Sequence, residues 1–132
     1  MKFLSEEWFD KTIERAKDRF KPGKLNLTFC ESCTDCPGEQ PTVWMYYAVK
    51  DGQISEAKLG YGEAPMADFR GSAAYADHVR ISKGELDPKK AVMDKIVTIE
   101  NNQGSVNPLK LVKLIDMYMK ITDAKRIPGV EY

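Results

Sequence analysis

The chain has 132 residues, and its 20 Lys and Arg balance 20 Asp and Glu, so the formal net charge is zero. With 42% hydrophobic and 30% charged residues it has the composition of an ordinary folded protein, not of a disordered or fibrous one. That length suits one domain, 1–132, with a core that needs no disulfide staples. Zero net charge argues against a general nucleic-acid binder, which needs a cationic field to displace phosphate counterions.

The ends add little. Met1 to Glu7 turns acidic at once and lacks the apolar segment of a secretory signal, and no apolar run approaches the ~20 residues that span a bilayer. Pro128 to Tyr132 carries no prenylation box. The odd count of three cysteines does not suit a secreted disulfide framework, so the expected compartment is a reducing cytoplasm.

The first expected element is a helix over 5–20. Ser5 is a good N-cap, Glu6 and Glu7 sit at the positive end of the helix dipole, and Trp8, Phe9, Thr12, Ile13, Ala16 and Phe20 recur at helical spacing. Pro22-Gly23 stops it. The period then changes to two, with Leu25, Leu27 and Phe29 forming one side of a strand. Glu31 to Pro41, rich in proline and in acidic and hydroxyl residues, reads as a loop.

Thr42 to Lys50 is a second strand. Val43, Met45, Tyr47 and Val49 share one face, Trp44, Tyr46 and Ala48 the other. Asp51-Gly52 predicts a two-residue hairpin, returning Gln53 to Gly60 as a third, antiparallel strand. Pro65 to Ser72 holds a short fourth strand, and Ala73 to Lys83 a helix ended by Gly84. Asp87 and Pro88 form an N-cap and N1 pair for a helix to about Asp94. Lys95 to Glu100 alternates as a fifth strand, closed by Asn101 to Gly104. Asn107-Pro108 opens a long helix to about Thr122, whose apolar arc, Leu111 to Met119, exceeds the ~100° stripe of a surface helix. Such a helix needs cover on more than one side. One helix, then mostly antiparallel strands, then helices predicts an α+β fold.

Two features bear on chemistry. Cys30, Cys33 and Cys36 form a C-x-x-C-x-x-C run, and thiolates at that spacing bind zinc or iron–sulfur clusters. A closed zinc site takes four ligands, so Asp35, Glu31, His78 or a second subunit would have to complete it. Cys30 and Cys33 would also need a break in the backbone to converge if a strand runs through Cys30. A redox dithiol at Cys33 and Cys36, or plain loop and buried thiols, are the other readings; no thioredoxin-like βαβ pattern surrounds the pair. His78 shares a helical face with Tyr75 and Val79 and reads as a core histidine with one satisfied hydrogen bond. No G-x-S-x-G elbow or other catalytic constellation stands out, so an enzyme is not expected.

From Ser82 to Ile99 the chain carries a Gly84-x-Leu86-x-Pro88 helix start, then Ala91, Met93 and a Lys95 that opens the last strand. This pattern resembles that of the sterol carrier protein type 2 family. The order of elements agrees along the whole chain, whereas the cysteine run is foreign to that pattern. The resemblance implies a five-stranded, mostly antiparallel sheet covered on one face by helices, with an apolar tunnel between the layers. It implies non-catalytic binding or transfer of a fatty acyl chain or sterol-like lipid, transient membrane contact, and a monomer or homodimer. The candidate tunnel residues are those on the faces expected to turn inward: Phe20, Trp44, Tyr46, Met66, Met93, Leu111, Leu114, Ile115 and Tyr118. Met45 and Tyr47 would replace Trp44 and Tyr46 if the other face of the second strand turns inward.

Overall fold

The computed structural model describes residues 1–102 and 108–132. Helix α1 spans Glu6–Lys17, with the Ser5 hydroxyl accepting from the Trp8 amide at 3.2 Å as its N-cap. It is followed by strands β1 (Leu27–Thr34), β2 (Val43–Lys50), β3 (Gln53–Tyr61) and β4 (Phe69–Ala74). Helices α2 (Tyr75–Ser82) and α3 (Pro88–Met93), strand β5 (Thr98–Asn101) and helix α4 (Pro108–Lys125) complete the order.

The five strands form one sheet in the order β3-β2-β1-β4-β5. β1, β2 and β3 are an antiparallel meander, β4 joins the far side of β1 in parallel, and β5 pairs antiparallel with β4. The hairpin between β2 and β3 turns through Asp51 (φ 51°) and Gly52 (φ 83°), the pair of positive dihedrals that a two-residue type I′ turn requires. The α+β class and the mostly antiparallel sheet expected from the sequence are both found.

Alternation decides which side of the sheet is covered. Leu27, Phe29 and Cys33 of β1, Val43, Met45, Tyr47 and Val49 of β2, and Phe69 of β4 pack in one core with α1 and α4. A smaller cluster of Ala73, Ile81, Leu86, Ala91 and Val97 lies under α2 and α3. Trp44 and Tyr46 therefore belong to the opposite face of the sheet, half-buried, and Met45 and Tyr47 take the inward places.

Several boundaries differ from expectation for local reasons. β1 does not stop before Glu31 but runs to Thr34, because Glu31 is inward-facing and its charge is answered by α4. α1 ends at Lys17, although Phe20 beyond it is still buried. β4 begins at Phe69 and β5 at Thr98, the latter after a turn in which Lys95 takes a positive φ of 60°. α4 reaches Lys125, a turn past the expected end. The proposed Asn107 cap lies outside the described residues, as do Gln103 and Gly104 of the expected closing turn. No helix among the described residues is long and apolar enough to cross a membrane.

Candidate functional site

The wide apolar arc of α4 resolves into three sectors. Leu114, Met117, Tyr118 and Ile121 are buried in the main core. Leu109 and Val112 face outward, 63% and 64% exposed. Between these sectors Leu111 and Ile115 line a cavity of about 370 Å³ that opens where α4 passes β4, β5 and α3. Phe69, Val92, Val97 and Ile99 supply the rest of its apolar wall, while Lys95, Thr98 and Asn101 add polar groups. Its size lies within the ~300–1,000 Å³ usual for small-molecule sites.

The cavity forms for simple reasons. β5 is a four-residue edge strand, and the cavity opens between it and the first turns of α4. β5 places Ile99 inward opposite Gly71, where the absence of a side chain leaves room for the Phe29 ring. Val92 on the last turn of α3 closes the side.

The sequence-derived tunnel residues divide accordingly. Leu111 and Ile115 line the cavity. Leu114 and Tyr118 lie one face further round, in solid core, where the Tyr118 ring meets Phe29 edge-on at 6.0 Å between centroids. Phe20 is buried at the edge of a separate groove of about 430 Å³ that it shares with Val112 and Lys120. Trp44, Tyr46 and Met66 meet around a shallow groove on the opposite face of the sheet. Met66 is 70% exposed and Met93 80% exposed, so neither lines the cavity. Those two methionines stood out by residue type, and residue type does not fix orientation. Phe69, Val92, Val97 and Ile99 were not singled out, although the alternation of Val97 and Ile99 was the signal that could have found two of them.

Within the buried layer between sheet and helices lies a polar cluster. The Glu31 carboxylate accepts from Lys125 Nζ at 2.5 Å through Oε1 and from the Tyr47 hydroxyl at 2.7 Å through Oε2. His78 Nε2 meets the Ser32 carbonyl oxygen at 3.2 Å; that oxygen only accepts, so this nitrogen carries the proton. His78 Nδ1 is 3.9 Å from Glu31 Oε1. The single hydrogen bond expected for a core histidine is thus in place. Burial by itself would raise the Glu31 carboxyl, but Lys125, His78 and Tyr47 outweigh it and hold the group below its ordinary range. Burial lowers His78 and, together with the Glu31 charge, pushes the Tyr47 phenol well up. Nothing in the sequence marked Glu31 or Lys125 for this role.

The three thiols do not assemble. β1 continues unbroken through Cys30 and Cys33, so their side chains leave opposite faces of the sheet. Cys30 sits in register with Tyr46 and Arg70, and Cys33 belongs to the core. Among the described residues no group of at least three Cys, His, Asp or Glu side chains is placed to hold a metal. The expectation of zinc or an iron–sulfur cluster on Cys30, Cys33 and Cys36 does not fit this geometry.

No protein-family model matches the chain, and no curated protein matches it either. Solved structures do. A crystal structure of sterol carrier protein 2 superposes with a TM-score of 0.77 at 17% identity, covering 95% of this chain and 98% of that one. A Thermus thermophilus protein described as possibly a sterol carrier protein gives 0.68 at 18% identity over 96% of this chain and 89% of its own. Palmitated SCP2L2 from Aedes aegypti gives 0.51 at 15% identity over 89% and 94%. At such identities the likeness is one of fold, and the fold is that of sterol carrier protein 2.

Proposed function

We propose that residues 1–132 act as one lipid-binding module of the sterol carrier type, holding a fatty acyl chain or a sterol-like ligand without chemical change. The observation that carries this reading is the cavity of about 370 Å³ with six apolar side chains on its wall, in a fold shared with sterol carrier protein 2. An acyl chain gains ~0.8 kcal/mol per methylene taken from water, so an apolar slot binds it with few polar fixtures. Lys95 offers a cation to an acidic headgroup. Ligand exchange with a bilayer would go through Met93, Leu109 and Val112, exposed large apolar side chains next to the wall residues Val92 and Leu111. A reducing cytoplasm is the compartment this reading assigns.

The test is displacement of a fluorescent fatty acid by unlabelled palmitate, with circular dichroism to confirm folding. Ile115→Lys, which puts a charge on the cavity wall, is expected to weaken binding at least tenfold, whereas Met66→Lys on the opposite face leaves it unchanged. A folded Ile115→Lys protein that binds as tightly as the parent overturns the reading.

A further inference from the structure

The turn that ends β1 sets two thiols against each other. Cys36 Sγ lies 3.2 Å from Cys33 Sγ and 3.3 Å from the Cys33 carbonyl oxygen. The chain doubles back because Asp35 takes a left-handed φ of 55°, and the Cys36 amide donates to the Pro41 carbonyl at 2.9 Å, which pins the returning segment. A disulfide has its sulfurs about 2.05 Å apart, so closing this pair takes a shift of about 1 Å. The two thiols are unequal in access: Cys33 is fully buried and Cys36 is not. Beside Cys36 opens a cleft of about 320 Å³, bounded by Phe3, Val43 and Tyr75 and carrying one charge of each sign, Lys2 and Glu39. Cys30 faces the other side of the sheet, is buried, and does not border this cleft.

We infer that Cys33 and Cys36 are a working dithiol that exchanges with a small peptide disulfide, which the cleft beside Cys36 receives. A disulfide of this class carries amine and carboxylate groups to match Glu39 and Lys2. In the first step Cys36 gives its proton to solvent, and its thiolate attacks one sulfur of the bound disulfide. The disulfide's S–S bond breaks, and the first peptide thiol leaves after taking a proton from water. In the second step the Cys33 sulfur attacks the Cys36 sulfur of the mixed disulfide, and the proton of Cys33 ends on the second departing thiol. The dithiol loses two electrons and two protons, and one peptide disulfide becomes two thiols. Burial and the neighbouring Cys36 push the Cys33 thiol up, which keeps it protonated and makes it the second thiol to react. Cys30 is raised as well, but its place on the opposite face of β1, away from the cleft and from both thiols, is what leaves it outside the exchange. This inference does not rest on the lipid reading.

The experiment exposes fully reduced protein to glutathione disulfide without oxygen, blocks the remaining thiols by alkylation and maps the products by mass spectrometry. The expected product is lighter by two hydrogens, links the Cys33 and Cys36 peptides, and has Cys30 alkylated. Cys33→Ser stops at the mixed disulfide on Cys36, and Cys36→Ser loses the reaction. The neutral 2-hydroxyethyl disulfide tests the cleft: with each rate divided by that for free cysteine, glutathione disulfide reacts at least tenfold faster. A parent protein that keeps three alkylatable thiols overturns the inference. So does a Cys36→Ser protein modified as fast as the parent. Equal normalised rates for the two disulfides overturn the cleft as the receiving site.

Discussion

At Glu31 a carboxylate stands on the central strand with one oxygen taken by Lys125 and the other by Tyr47, and with His78 alongside. Two ions taken out of water are costly to bury, and the cost is met here by hydrogen bonds to both carboxylate oxygens. Removing one partner strands the other, so Glu31→Gln is expected to lose about 3–5 kcal/mol in a urea titration. The pH dependence follows from the same contacts. Glu31 is held below its ordinary 4.5, so the folded state gives up that proton more readily than the unfolded chain. Its stabilisation is complete above 4.5 and is lost as pH falls through the lowered value. His78 is displaced downward from 6.5, chiefly by burial, so the folded state also resists that proton, and stability begins to fall below 6.5. Both groups act in one direction, giving a two-stage loss on acidification. Urea midpoints followed from neutral pH to below 4.5 should show it, with His78→Gln flattening the upper stage. A midpoint independent of pH across that range would mean that neither group is linked to folding.

Among the elements, α4 shows most clearly what periodicity reveals and what it leaves open. Its apolar arc is too wide for one contact surface, and the helix indeed serves the core on one sector and the cavity on another. Leu114 and Val112 are two residues apart but have opposite surroundings, one fully buried and the other 64% exposed. Leu114→Ala is expected to cost about 2–5 kcal/mol in the same titration, and Val112→Ala to stay within about 0.5 kcal/mol. Comparable losses would place the two residues on one buried face. Elsewhere, elements that depend on neighbours in sequence were legible. The Ser5 cap, the Asp87-Pro88 helix start, whose Asp87 carboxylate accepts from the Lys89 amide at 3.4 Å, and the Asp51-Gly52 turn all use local chemistry. The extension of β1 through Glu31 was not legible, because the charge that permits it sits 94 residues away on Lys125. The orientation of β2 was equally hidden: aromatic side chains occupy both of its faces, and only the packing of α1 and α4 against Tyr47 decides which is inward.

For the whole molecule, the order of elements was readable because each strand and helix carries its own period, and that order already constrains how a sheet of this topology is built. The cavity is only partly legible in the sequence, since Leu111 and Ile115 lie on the helix with the wide apolar arc while Phe69 and Ile99 come from strands that pair across β4 and β5. Because its wall draws on both layers, occupancy should be linked to global stability and not only to local order. A ligand that binds the folded chain alone contributes about 2.7 kcal/mol at a free concentration one hundred times its Kd. For a chain of 132 residues, whose unfolding entropy scales at about 2.1 cal/mol/K per residue, that raises Tm by roughly 10 °C. Differential scanning calorimetry with palmitate kept below its micelle concentration should therefore show a rise that grows with the logarithm of free ligand. Ile115→Lys, with its charge on the cavity wall and its binding weakened at least tenfold, should show about half that rise or less at the same free ligand. A rise of equal size in that variant would place the bound lipid elsewhere, in the groove beside Phe20 and Lys120 or on the Trp44 face of the sheet, and would separate a lipid-binding fold from the cavity assigned to it.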